Sequence, residues 1–153
     1  LKAEDTWKQT VLHLAAKEGN VDIVEKLVKL GSDLEHRNFV GRTPLLLATI
    51  SGHVGVVEIL AKLGADVNTT DASIWYKNSR RSPLHWACHR GLQEIAAKLC
   101  DLGANIEAKD GLGRTPIFWA VRKGNLECLQ VLLSRGADFT KVDDKGMGLR
   151  DLA

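Results

Sequence analysis

Residues 80–91 read RRSPLHWACHRG, and within them His85, Cys88 and His89 stand at i, i+3 and i+4. On a helix that spacing puts three metal-capable side chains on one face. A closed zinc site needs a fourth ligand, and no second His/Cys cluster in the sequence offers one. Nucleophilic chemistry would need Cys88, Cys100 or Cys128 beside an activating base. Binding chemistry has more material. Trp86 and Trp119 could give aromatic faces to a cation. Trp75, Tyr76, Lys77, Arg80 and Arg81 lie close together in ASIWYKNSRR (72–81), an aromatic-plus-arginine mixture typical of binding hot spots.

A repeat must position these residues. TVLHLAAKEGN (10–20), TPLLLATISGH (43–53), SPLHWACHRGL (82–92) and TPIFWAVRKGN (115–125) recur at spacings of 33, 39 and 33. A second block follows each: KLGSDLE, KLGADVN, DLGANIE and SRGADFT. Pro44, Pro83 and Pro116, all the prolines there are, share one slot. Thr or Ser before Pro reads as an N-cap followed by the first helical residue. A glycine then ends a short helix, and a second amphipathic helix such as VDIVEKLVKL ends at the next glycine. No unit buries both faces alone, so the core forms by stacking. The fold class is all-α.

Composition agrees. The chain has 153 residues, one domain's worth, with 44% hydrophobic and 26% charged. Its net charge of +2 is too small to argue for nucleic acid. Charge is uneven: residues 1–70 carry 8 Lys and Arg against 9 Asp and Glu, and residues 71–153 carry 13 against 10. No apolar run approaches the ~20 residues of a membrane span. An odd number of cysteines without a secretion signal suits free thiols and a cytoplasmic or nuclear location. Leu1 is not a start methionine, so a longer parent protein is expected.

The motif TPLHLAA…G…LLL…GADVN is nearly written out by 43–68, and the chain resembles the ankyrin repeat family along its whole length. We read a single domain, 1–153, with units at 5–37, 38–70, 71–109 (six extra residues in its finger) and 110–142, and a partial unit at 143–153. The resemblance implies a solenoid of helix pairs joined by β-turn fingers. It implies a scaffold for protein–protein interaction through the concave face of fingers and first helices, with no enzymatic activity and no cofactor.

Register then sorts the candidates. His85 shares its slot with His13, Leu46 and Phe118, and in this family that histidine is structural. Cys88 shares its slot with Ala16, Thr49 and Val121, a small core position. Only His89 is left at the helix end, so no metal site is expected. Trp86 and Trp119 occupy one slot in adjacent units. They resemble part of the methyl-lysine cage in the ankyrin domain of certain histone-lysine methyltransferases, although Arg81 and His89 replace that cage's third Trp and its Glu. Asn68 resembles the site modified in ankyrin repeats by the asparaginyl hydroxylase of oxygen sensing.

The concave slots of units three and four hold Lys77, Arg80, Arg81, His89, Arg90, Arg114, Arg122 and Lys123, with Trp75 and Tyr76 on the extended finger. Those of units one and two include Trp7, Phe39, Val40, Arg42 and Ile50. The expected ligand is an acidic segment of another protein with an apolar anchor, bound by a monomer. Recognition of a phosphorylated small molecule or nucleic acid, as in the ankyrin domain of an oligoadenylate-activated nuclease, and methyl-lysine reading through Trp86 and Trp119 are the alternatives.

Overall fold

The computed structural model of the chain describes residues 3–72 and 79–152. Among these residues eight α-helices follow in pairs: α1 (Val11–Glu18) with α2 (Val21–Lys29), α3 (Pro44–Ser51) with α4 (Val54–Lys62), α5 (Pro83–Arg90) with α6 (Gln93–Asp101), and α7 (Pro116–Lys123) with α8 (Leu126–Ser134). A 3-10 turn covers Leu149–Leu152. The only β pairing among the described residues is an isolated bridge between Glu4 and Thr10. First helices pack on first helices and second on second, giving two layers.

Punctuation in the sequence sets the helix ends. Thr10, Thr43 and Ser82 accept a hydrogen bond from the N–H three residues on. Thr115 does not; the Phe118 N–H bonds the Thr115 carbonyl instead, at 3.1 Å. At the other end, Gly19, Gly52, Gly91 and Gly124 close the first helices in the left-handed conformation, which costs glycine little.

The core repeats with the units. Leu12, Leu45, Leu84 and Ile117 are 0–2% exposed, and Leu60, Leu99 and Leu132 are sealed in the second helices. Each buried aliphatic side chain contributes about 1.5–3 kcal/mol. Ala15, Ala48, Ala87 and Ala120 lie buried between the layers and let helices approach. Cys88 and Cys128 are buried and free, but Cys100 is only half-buried, packed against the core from near the end of α6. A bond to Cys128, and then burial, hold the Cys88 thiol well above its ordinary range.

His13 and His85 join neighbouring units. In each, Nδ1 faces the N–H of the capping residue, at 3.2 and 3.1 Å, so the proton belongs on Nε2. Nε2 then donates to the carbonyl of Arg42 or Arg114 in the following unit, at 3.0 and 2.9 Å.

Candidate functional site

Each finger is built on one acidic or amide residue. Asn38 Oδ1 accepts from the Val40 and Arg42 N–H groups, and Asp110 Oδ1 accepts from those of Leu112 and Arg114. Asp5 and Asp143 repeat the pattern. In unit three the partner of Asp71 is the Arg81 N–H, ten residues away, at 2.8 Å. The Asp71 N–H also bonds the Arg81 carbonyl at 3.1 Å, so these two residues pair across the insertion. Trp75, Tyr76 and Lys77 lie outside the described residues.

This finger chemistry aims the next side chain, Arg42, Arg81 or Arg114, across the first helices. The carboxylate oxygen left over takes the indole N–H: Trp86 Nε1 donates to Asp71 Oδ2 at 3.1 Å, and Trp119 Nε1 to Asp110 Oδ2 at 3.0 Å. Arginines and indoles then alternate. The Arg42 guanidinium lies 5.0 Å from the Trp86 ring, and Arg81 lies 4.9 Å from Trp86 and 4.0 Å from Trp119. Arg114 lies 4.4 Å from Trp119. The space beside Trp86 and Trp119 that would take a methylammonium is occupied by the chain's own Arg81.

These contacts change the standing of several concave residues. Arg81 is half-buried against two indoles, so its substitution would disturb the packing as well as the charge. Arg114 is 8% exposed, and its Nε and Nη2 both reach Asp110 at 2.9 Å. Burial opposes the charge of Asp110, but the bonds from Arg114, Leu112 and Trp119 outweigh it and hold the carboxyl below its ordinary range. His89 is not at an open helix end. Its ring packs edge-on to Trp86 and Trp119, at 5.5 and 5.1 Å. Burial, then Arg81, Lys123, Arg90 and Arg122, push its pKa down to about 4. Arg80, Arg90, Arg122 and Lys123 remain exposed.

At the other end of the concave face, Trp7, Phe39, Val40 and Leu47 line a shallow groove with Gln9, Lys17, Asn38 and Arg42. Trp7 is 61% exposed and meets Phe39 edge-on at 6.5 Å. The Phe39 N–H bonds the Trp7 carbonyl at 2.8 Å, which ties finger one to finger two. Ile50, half-buried at the end of α3, does not line this groove.

Asn68 stands in the turn between units two and three. Its amide donates to the Gly103 carbonyl at 3.3 Å and accepts from the Asn105 N–H at 2.7 Å. Glu35 and Glu107 do the corresponding work, accepting from the Asp66 and Asp138 N–H groups. A hydroxylase acting on Asn68 would have to break both of its bonds. Among the described residues no three His, Cys, Asp or Glu side chains are grouped to hold a metal. No helix there is long and apolar enough to cross a membrane.

Residues 1–71 and 73–143 match the family described as ankyrin repeats, three copies. The chain belongs to the ankyrin repeat family. Of the curated proteins it matches, one is a probable E3 ubiquitin-protein ligase, XBOS33, of Oryza sativa subsp. japonica, 30% identical over 105 residues. The match takes in 68% of this chain and 19% of that protein, so the chain spans about a fifth of its relative's length. Ankyrin repeats are protein-interaction modules. What the register alone misses is Asp71 and Asp110, which fix the tryptophans. Their signal was in the sequence: Asp5, Asn38, Asp71, Asp110 and Asp143 open each unit.

Proposed function

We propose that this ankyrin repeat domain holds an acidic segment of another protein across its concave face, with no catalytic step of its own. The observation that carries this reading is the division of that face. One end is an apolar groove of Trp7, Phe39 and Val40 flanked by Lys17 and Arg42. The other is a basic surface of Arg90, Arg122 and Lys123 around an arginine–tryptophan stack. A segment with an apolar side chain at one end and acidic residues further along complements both. The apolar anchor supplies affinity, and the charges supply rate and selectivity. Methyl-lysine reading is disfavoured by Arg81, which fills the space and repels a second cation.

Site-specific photo-crosslinking in cells tests the proposal. A crosslinker at Phe39 or at Arg122 should capture the partner, and one at Glu94 or Glu127 on the outer helices should not. Capture from the outer helices alone would move the binding site to the convex side.

A further inference from the structure

The concave face holds more positive charge than its own residues neutralise. Arg81, Arg114 and Arg122 lie 4.0, 4.4 and 5.6 Å from the single indole of Trp119. Asp110 is committed to Arg114 and to the Trp119 N–H. Asp71 gives its oxygens to the Arg81 N–H and the Trp86 N–H. Among the described residues the arginines in ion pairs are Arg114 and Arg135, and neither Arg42 nor Arg81 has a partner for its Nε.

A surface arginine beside so much like charge would ordinarily swing away into water. Here the indole faces hold the guanidinium groups by cation–π attraction, which offsets the repulsion. A planar fork fixed in this way loses little further freedom when it grips an oxyanion. The cations converge on one point: His89, wedged against both indoles, is held below its ordinary value first by burial and then by Arg81, Lys123, Arg90 and Arg122.

We infer that the Arg81–Arg122 end of the stack, with Arg90 and Lys123 at its rim, receives the phosphate of a phosphorylated residue in the protein partner. The inference rests on the protein-binding reading above and narrows the ligand of the same face. A carboxylate brings one charge and two oxygens. A phosphoryl group brings roughly −1.5 to −2 charges and three acceptor oxygens. Against Asp71 and Asp110 stand Arg42, Arg81, Arg90, Arg114, Arg122 and Lys123, so one carboxylate leaves most of the excess in place. Phosphate also suits planar arginine forks presented from two adjacent units, one at the base of a finger and one at the end of α7.

Degenerate peptide pools test this. They are identical except for the fixed central residue: phosphorylated Ser, Thr or Tyr in one, glutamate in the second, unmodified Ser, Thr or Tyr in the third. Retained on the immobilised chain at physiological salt, the phosphorylated pool should exceed the glutamate pool by roughly tenfold. Arg122→Gln with Lys123→Gln, at exposed positions, should abolish that preference. Arg81→Lys keeps the charge and loses the fork, and should lower retention of the phosphorylated pool more than that of the glutamate pool. Equal retention of the phosphorylated and glutamate pools overturns the inference and leaves the acidic-partner reading standing. Retention of no pool overturns it as well. A short RNA held more tightly than any pool, and released by the same substitutions, would assign the surface to a nucleic-acid backbone and overturn it too. Loss of the binding reading itself would show separately, as crosslinks from the outer helices alone.

Discussion

At the residue scale, one finger slot has positive φ in all five units. Gly41, Gly113 and Gly146 occupy it at 72°, 74° and 77°, but Lys8 and Arg80 occupy it at 55° and 40°. A side chain there costs about 1–2 kcal/mol more than glycine does. Lys8→Gly should therefore raise the unfolding free energy by about 1 kcal/mol, less the extra entropy of the unfolded chain, in a denaturant titration. Gly41→Ala should do the reverse and more, since its Cβ would meet the Ala72 backbone at 2.5–2.8 Å. The imidazoles give a pH prediction. Burial is the main cause that holds His13 and His85 below the ordinary value, and burial with neighbouring cations brings His89 to about 4. As pH falls from about 6.5 towards 4, the unfolded chain takes up protons that the folded chain refuses, so stability falls. Denaturant midpoints at pH 7 and pH 5 should show the drop, and His89→Gln should make it smaller. An equal drop in that variant would mean that His89 titrates normally. His85 could be recognised as scaffold because its slot matches the one where the resembled family carries a structural histidine, and its ring does meet the Ser82 N–H. Arg81 could not be placed: register says which face a long side chain starts from, not which ring it lies against.

At the element scale, finger three is closed at its base between Asp71 and Arg81. The backbone pair and carboxylate bond between Asp71 and Arg81 complete the same frame that Asn38–Arg42 and Asp110–Arg114 make. Deleting the six residues 73–78, which keeps the Ser79 carbonyl that accepts from the Gly111 N–H at 3.1 Å, should then change the unfolding free energy by no more than about 1 kcal/mol, the scale of a tolerated loop change. Asp71→Ala is the contrast. It strips partners from the Arg81 N–H and the Trp86 indole N–H and should cost about 2–6 kcal/mol, at 1–3 for each unsatisfied group. If the deletion proves as costly as Asp71→Ala, the inserted residues are part of the frame. Helices and turns were readable from the spacing of Thr-Pro and Gly, since those residues act locally. The uncapped start of α7 was not. Thr115 precedes Pro as Thr43 does, yet its N3 residue, Phe118, bonds the backbone carbonyl and not the hydroxyl.

At the scale of the whole molecule, the stack brings residues far apart in sequence onto one surface and leaves its two ends different in kind. The exposed cations gathered at one end, Arg90, Arg122 and Lys123, set up a field over that part of the concave face. Such a field acts before contact, over a screening length of about 8–10 Å at physiological salt. The apolar groove of Trp7, Phe39 and Val40 acts only after contact. The two ends should therefore separate in kinetics. For an acidic peptide that binds the chain, raising salt should slow association and change dissociation much less. Arg122→Gln with Lys123→Gln should slow association in the same way and flatten its salt dependence. Phe39→Ala should speed dissociation and leave the salt dependence of association as it is, because most interface losses are felt in the off-rate. Stopped-flow mixing at two salt concentrations measures all of these rates. If association proves indifferent both to salt and to the loss of Arg122 and Lys123, the charges on this face do not steer a partner. The arginine–tryptophan stack would then serve only to hold units two, three and four together.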